Sequence, residues 1–168
     1  MSLNHLPAPL HIAGLRLAHA LRPRWCRLAR LLGRAPVRGC RVLVLDREER
    51  VLLIRHSYGE RHWTLPGGGL SRGEDVIAAA TREVREECGC YLSEALVLGE
   101  GQGPKDGKHE VWLVAGWSED RAVADGREVL AAEFFALDAP PEPLSPRLAG
   151  NLADYLTRAK AARPLPRA

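Results

Sequence analysis

Three glutamates stand close together in this 168-residue chain, at a spacing that suits metal chemistry. Glu83, Glu86 and Glu87 occupy positions i, i+3 and i+4, so on a helix their carboxylates project from neighbouring positions on one side. Three like charges held this closely repel one another at neutral pH. Two remedies are open: solvation with Arg82 and Arg85 as local ion-pair partners, or a divalent cation, for which clustered carboxylate oxygens are suitable hard ligands.

Glycines precede these glutamates along the chain. Gly67, Gly68 and Gly69 let the backbone approach a ligand closely, and their N–H groups, with the N-terminus of the helix that follows, suit a phosphate oxygen. Carboxylates that hold Mg²⁺ beside such a turn form a site at which metal-activated water attacks a phosphoanhydride. The run is neither of two common nucleotide-binding loops, because the chain contains no G-x-x-x-x-G-K-[ST] and the triplet does not complete a G-x-G-x-x-G.

The segment from Gly68 to Cys90 resembles the Nudix box, G-x5-E-x7-R-E-U-x-E-E-x-G-U, in which U is an aliphatic residue. Its seven fixed identities coincide by chance at about 10⁻⁸ per start position when each has a frequency of roughly 1/15. Cys90, at the final aliphatic position, is the one departure, and cysteine readily replaces a small apolar side chain. The matching residues are Gly68, Glu74, Arg82, Glu83, Val84, Glu86, Glu87 and Gly89.

The resemblance extends beyond the box, because the lead-in Trp63–Gly69 and the order of elements from about Val37 to Leu156 are similar to a whole Nudix domain. It implies an α/β fold, namely an α/β/α sandwich with a mixed sheet and a catalytic loop followed by a helix. It also implies hydrolysis of a nucleoside diphosphate linked to another group, with Mg²⁺ or Mn²⁺ as cofactor. Within that class, ADP-ribose-like or nucleotide-sugar-like substrates are favoured over damaged nucleoside triphosphates.

The resemblance implies roles for individual residues as well. Glu86 and Glu87 are expected to be the principal metal ligands, with Glu83 as a further ligand or the general base. Arg82 is expected to orient these carboxylates by ion pairing, and Gly67 to lend its carbonyl oxygen to the metal. Branches of the family differ in which glutamate deprotonates the water, so the base is left unassigned.

Residues around this centre are expected to support it or to contact the substrate. Glu74 and Gly89 would support the loop and the helix, whereas Gly68 and Gly69 would contact substrate phosphates. Arg55 and His56 end a predicted strand near the glycines, and they either meet substrate phosphates or form a solvated strand end.

Many members of the family supply one more carboxylate from a loop that precedes an aromatic-containing strand. Glu128 resembles that position and is expected to take a catalytic role, with Glu110 and Glu133 as alternatives. Each of the three is otherwise a solvated strand or loop residue. Trp63 and Trp112 either stack on a base or belong to the core.

Aliphatic runs predict the elements that position these residues. Val42–Leu45 and Val51–Ile54 flank a polar stretch and are typical of a β-hairpin. A helix is predicted after the glycines, with a capping box of Ser71 and Glu74 at its start and Gly89 at its end. The remaining predictions are an apolar helix face of Ile77, Thr81, Val84 and Cys88, strands over 91–98, 110–117 and 134–137, and a closing helix over 144–162.

Charge divides the chain into two parts. Residues 1–45 contain eight Arg and no Asp or Glu, the remainder holds 16 basic and 21 acidic side chains, and the whole carries a formal charge of +3. We therefore predict a basic amphipathic N-terminal extension over 1–36, a Nudix hydrolase domain over 37–162 and a C-terminal tail over 163–168. Leucines at helical spacing favour a helix in the extension.

Three roles are open for the extension. It packs on the domain or on a second copy of the chain as a homodimer, it contacts an anionic surface, or it is a targeting segment. Contact with nucleic acid would direct the enzyme to 5′-phosphorylated or capped transcripts, as an RNA 5′-end pyrophosphohydrolase. A different alternative for the whole chain is a nucleotide-sensing binding module that has the fold and does not hydrolyse.

Cysteine spacing and hydropathy bear on the compartment. The four cysteines form no C-x-x-C pair and no regular framework, so a reducing compartment, the cytoplasm, is expected. No aliphatic run is longer than Val42–Leu45, so no transmembrane segment is expected.

Overall fold

A computed structural model describes residues 37–59, 61–71, 73–101 and 109–162 of the chain. The predicted N-terminal extension and C-terminal tail lie outside the described residues, so their boundaries and roles stay predictions. Within the described ranges, no helix combines the length and the apolar character needed to cross a membrane.

A single mixed sheet forms the centre of the fold. Its strands in the described chain are β1 (Val37–Leu45), β2 (Val51–His56), β3 (Trp63–Thr64), β4 (Glu94–Glu100), β5 (His109–Trp117) and β6 (Val129–Phe135). β1 runs parallel to β5, β4 runs antiparallel to β5, and β2 runs antiparallel to β1, β3 and β6. The strand order is β3-β2-β1-β5-β4, with β6 paired to β2.

Alternating side chains of β1 divide between two buried clusters. Val42 and Val44 belong to the first cluster, and Leu43 and Leu45 to the second. The helices are α1 (Val76–Cys88), α2 (Pro146–Ala149) and α3 (Leu152–Ala162). Apolar residues of α1 pack in the first cluster, and apolar residues of α2 and α3 pack in the second. The sheet is therefore covered on both faces, which confirms the predicted α/β/α sandwich.

The glycine segment runs between β2 and β1. These strands pair only where Leu45 faces Val51, next to the hairpin turn, so their facing edges are open further along. Trp63 and Thr64 pair with β2. The N–H groups of β1 then donate to carbonyl oxygens of the segment over 66–68, at 2.9 Å for each of two bonds. The glycines are thus held in place by backbone hydrogen bonds to the central strands.

The start and the apolar face of α1 differ from prediction. Asp75 is the N-cap, because its Oδ1 accepts from the N–H groups of Ile77 and Ala78, so the helix begins after the predicted capping box. Glu74 nevertheless accepts from the N–H of Ser71 at 2.7 Å. Ile77 is 37% exposed, and the buried residues of α1 are Ala79, Ala80, Val84, Glu87 and Cys88. The helix is rotated so that a glutamate faces inward.

The prediction of a single closing helix over 144–162 is wrong. Two helices lie in this range: α2, which Ser145 caps, and α3. Gly150 and Asn151 lie at the break, and both residues have lower helix propensity than their neighbours Leu148 and Leu152. The predicted hairpin, the strand over 110–117 and the end of α1 at Gly89, which has φ 68°, are confirmed. The strands predicted over 91–98 and 134–137 are shifted to β4 and β6.

Candidate active site

The three glutamates of α1 differ in their exposure to solvent. Glu87 is 7% exposed and belongs to the buried face of the helix. Glu83 is partly buried, whereas Glu86 is exposed. The helical spacing therefore places their carboxylates on neighbouring positions, as predicted, but in three different solvent environments.

Glu87 is hydrogen-bonded to the glycine turn, the part of the glycine segment over 67–69. Its Oε2 accepts a hydrogen bond from the N–H of Gly67 at 2.8 Å. Burial raises the pKa of Glu87 to about 8 against the lowering effect of the Gly67 bond, and the charges of Glu83 and Glu128 raise it further while Arg41 lowers it. Burial is therefore the main reason that the pKa of this carboxyl is raised, and the neighbouring charges contribute less.

Two glycines of the turn make close approaches of different kinds. A Cβ on Gly68 would lie 2.5 Å from Glu83 Oε1, so the carboxylate takes the space of a side chain. Gly67 has φ +135°, and a Cβ there would lie 2.3 Å from the carbonyl oxygen of Cys40. At Gly69 the nearest such contact is 3.9 Å, to the carbonyl oxygen of Arg38. The close approach of backbone and carboxylate thus depends on Gly67 and Gly68.

Arg82 connects the acidic residues to one another. Its guanidinium bonds both oxygens of Glu74, at 2.9 and 3.1 Å. Nη1 also donates to Glu83 Oε1 at 2.8 Å and lies 3.4 Å from Glu86 Oε2, and Nη2 donates to the carbonyl of Gly69 at 3.1 Å. The Arg82 hydrogen bond holds the pKa of Glu74 at about 2. The arginine thus joins the start of the helix, the turn and two glutamates.

Arg41 contacts the same turn from β1, and sequence reasoning missed it. Its Nη1 donates to the carbonyl oxygen of Gly67 at 3.0 Å. The predicted role of that carbonyl was to bind metal, and a carbonyl oxygen has a second lone pair available beside this bond. The signal in the sequence was an arginine next to the aliphatic run Val42–Leu45, in a strand buried on both faces.

Glu128 lies close enough to the centre that its charge raises the pKa of Glu87. Its backbone is fixed at the start of β6, because its carbonyl accepts from the N–H of Ser57 at 2.8 Å and its own N–H bonds Asp125 at 3.0 Å. The alternatives lie elsewhere. Glu110 pairs with Arg38 at 3.5 Å, and Glu133 lines a separate cavity of about 930 Å³ beside the hairpin turn.

Arg55 and Trp63 lie against each other on the opposite side of the sheet from α1. The Arg55 guanidinium carbon is 5.2 Å from the Trp63 ring centroid, and within the described chain its buried Nε has no hydrogen-bond partner. Trp63 is 7% exposed and packs edge-on against Phe135. Trp63 is therefore a core residue. Trp112 is half-buried on β5, opposite Cys40 of β1.

The donor chemistry of the glutamate cluster fits a hard divalent cation. Carboxylate oxygens are the ligands that such ions prefer, and Glu83, Glu86 and Glu87 supply them from one helix. Among the described residues, no three His, Cys, Asp or Glu side chains already converge in metal-holding geometry. In this arrangement Arg82 donates to one oxygen of Glu83, and the N–H of Gly67 donates to one oxygen of Glu87.

A cavity of about 640 Å³ adjoins the glycine turn on the α2 and α3 side of the sheet. Thr64 and Leu65, which lead into the turn, line it together with residues of α2 and α3. Other lining residues are Arg41, His56, Tyr58, His62, Arg147 and Tyr155. Arg41 therefore borders both the cavity and the turn.

Comparison with known proteins identifies the class and the family. The Bacillus subtilis "Putative 8-oxo-dGTP diphosphatase" is 27% identical over 117 residues, which cover 70% of this chain and 78% of that protein. Mouse "Diphosphoinositol polyphosphate phosphohydrolase 3-alpha" is 32% identical over 91 residues, 49% of this chain and 56% of that protein. The chain thus matches little more than half of the length of this second relative.

A solved MutT NUDIX hydrolase from Burkholderia pseudomallei has 25% identity and a TM-score of 0.59, over 74% of this chain and 98% of that one. The fold, the site and these relatives define a pyrophosphohydrolase. The family model for the NUDIX domain matches residues 35–156, and the chain belongs to the Nudix family. Nudix hydrolases generally use divalent metal ions and act on small nucleotide-related substrates.

Proposed function

We propose that a catalytic domain over 37–162 hydrolyses the pyrophosphate bond of a nucleoside diphosphate joined to a second group, as in ADP-ribose or a nucleotide sugar. The cofactor is Mg²⁺ or Mn²⁺ and the compartment is the cytoplasm. One observation carries the proposal: Glu83 and Glu87 lie directly against Gly68 and Gly67. A diphosphate at that turn would be repelled by the carboxylates unless a cation lay between them.

The residues of the glutamate cluster have different proposed roles, which follow from their different surroundings. Glu83, Glu86 and Glu87 hold the cation through oxygens that Arg82 and Gly67 do not use. Such an ion, when bound, supplies Lewis-acid polarisation of the phosphate and lowers the pKa of a bound water. Arg82 fixes the carboxylates, and Glu128 adds a further negative charge near Glu87. Glu83 or Glu128 would be the group that accepts a proton from the attacking water.

The cavity beside the glycine turn supports the proposal that the diphosphate of the substrate carries a second group. The backbone N–H groups of Gly68 and Gly69 are suited to phosphate oxygens in the turn, and the 640 Å³ cavity begins beside that turn. A cavity of this size matches a small-molecule site. The names of the two relatives, a diphosphatase and a phosphohydrolase, agree with attack on a phosphoanhydride.

The test is a substrate panel assayed with Mg²⁺ and with Mn²⁺. The panel comprises ADP-ribose, nucleotide sugars, dinucleoside polyphosphates, 8-oxo-dGTP and 5′-triphosphate RNA. We expect release of nucleoside monophosphate from linked diphosphates, and a loss of 10²-fold or more for Glu86→Gln, the range for groups that act on the reacting centre. Glu94→Gln, an exposed glutamate at the start of β4, is the matched control.

Other outcomes would identify the alternatives. Unchanged turnover in Glu86→Gln would remove the mechanism. Tight nucleotide binding without hydrolysis under any divalent metal would favour a nucleotide sensor. Preference for 5′-triphosphate RNA, with an affinity that falls steeply with salt and depends on residues 1–36, would favour an RNA 5′-end pyrophosphohydrolase.

A further inference from the structure

The 640 Å³ cavity has a charge opposite to that of the glutamate cluster. Its lining includes two guanidinium groups, those of Arg41 and Arg147, and two imidazoles, those of His56 and His62. No Asp or Glu among the described residues lines it. The site therefore has two electrostatic halves: carboxylates contact one side of the glycine turn, and basic side chains border the other.

The cavity beside the hairpin turn does not share this charge. The 930 Å³ cavity beside the hairpin turn is lined by Asp46, Glu48, Glu119, Asp120 and Glu133 together with three arginines. Arginines there are already paired, as Arg47 is with Glu119 and Arg50 is with Asp46. A lining that mixes acidic and basic side chains has little net attraction for an anion. A lining whose charged side chains are all basic attracts one.

Two arginines occupy different depths of the basic cavity. Arg41 is anchored in the sheet by its bond to the Gly67 carbonyl, and a guanidinium has five N–H donors, so this bond leaves others for a ligand. Arg147 is exposed in α2. Anions between them would receive charge-assisted hydrogen bonds, which are shorter and stronger than neutral ones. The stacked rings of His56 and Tyr58, with centroids 4.9 Å apart, form part of the wall.

We propose that this cavity binds the second group of the diphosphate substrate, and that this group carries an anionic substituent of its own, a phosphate or a carboxylate. The inference rests on the proposed function, because it uses the same diphosphate at the glycine turn. Arg147 and His62 are the residues that select for the additional anion, and Arg41 links that end of the site to the turn.

Matched pairs of substrates test the inference. UDP-glucuronate and UDP-glucose differ by one carboxylate on the sugar, and ADP-ribose 1″-phosphate and ADP-ribose differ by one phosphate on the second ribose. We expect the anionic member to have the higher kcat/KM in at least one pair. Arg147→Gln and His62→Gln should each reduce that preference by on the order of tenfold, the effect of removing a charge-assisted hydrogen bond. The carboxylate and phosphate pairs distinguish the two kinds of anion.

The control is Arg121→Gln, which removes an arginine of the other cavity and should leave the preference unchanged. Hydrolysis of both members at equal kcat/KM, or a preference that survives Arg147→Gln and His62→Gln together, would overturn the inference while the proposed function stands. Absence of hydrolysis across the whole panel would instead contradict the proposed function. In that case the affinities of the protein for the same pairs are measured by calorimetry. Equal affinities for the two members of each pair would exclude an anion-selective cavity.

Discussion

The carboxylate of Glu83 occupies the space in which residue 68 would carry its side chain. A Cβ on Gly68 would lie 2.5 Å from Glu83 Oε1 and 2.6 Å from its Cδ. The first glycine and a glutamate of the box, which are far apart in sequence, therefore form one steric unit. The glycine determines how near the carboxylate comes to the backbone of the turn.

Gly68→Ala should therefore reduce activity more than stability. The added methyl group displaces Glu83 from the turn, and a misplaced catalytic group costs about 10²-fold in rate. The control is Gly150→Ala, because the added Cβ there lies 3.6 Å from the Pro146 carbonyl oxygen, an ordinary contact at a residue with φ −77°. Steady-state kinetics and thermal unfolding of both variants make the comparison. Full activity in Gly68→Ala would contradict the steric role of this position.

Arg82→Lys should weaken metal binding even though it keeps the charge. A lysine cannot reproduce the bidentate bond to Glu74 together with the bonds to Glu83 and the Gly69 carbonyl. We expect affinity for Mn²⁺, followed by its electron paramagnetic resonance signal, to fall by on the order of tenfold, the range found when residues that orient ligands are changed. Arg85→Lys is the control, since Arg85 is exposed and lies over the Tyr91 ring.

Glu74 should make stability sensitive to acid. Its pKa in the folded protein is about 2, below its ordinary value of 4.5, chiefly because of the Arg82 hydrogen bond. A carboxyl with a lowered pKa stabilises the fold above its unfolded pKa, and this contribution is lost as pH falls from about 4.5 through 2. Wild type should thus exceed Glu74→Gln in unfolding free energy at pH 7, and the two should converge near pH 2. A pH-independent difference would show that the ion pair is not responsible.

Glu87→Gln should stabilise the metal-free protein at alkaline pH and reduce its activity. Burial raises the pKa of Glu87 to about 8, so in the folded protein its ionisation is unfavourable as pH rises from its ordinary 4.5 through 8. A glutamine keeps an acceptor for the Gly67 N–H and carries no charge. We expect a gain of about 1–3 kcal/mol at pH 9 in the presence of a chelator, measured by denaturant unfolding.

Added divalent metal should reverse the order of these two proteins, because a bound cation stabilises the wild-type carboxylate and finds one ligand fewer in the variant. Glu94→Gln, with its exposed side chain, should show no such crossover. Equal stability of wild type and Glu87→Gln at pH 9 without metal would contradict the burial of a charge at this position.

Several features of the site were readable from local chemistry in the sequence. Arg82 donates to Glu74 within the box, and Gly89 ends α1 because it adopts a positive φ. The pattern missed the rotation of α1 that exposes Ile77 and buries Glu87, because hydrophobicity alone places a glutamate outside. The Gly67 N–H, which comes from another element, gives the inward carboxyl group a hydrogen-bond partner.

The sequence by itself determined the family, the hairpin and the helix that carries the box, because these depend on neighbours along the chain. The tertiary structure decided that the glycine turn lies between β1 and β2, that Arg41 bonds its carbonyl, and that a basic cavity adjoins it. Those relationships join residues from separate strands and helices. Their physical basis is the pairing of open strand edges and the packing of two sheet faces, which no local pattern of residues encodes.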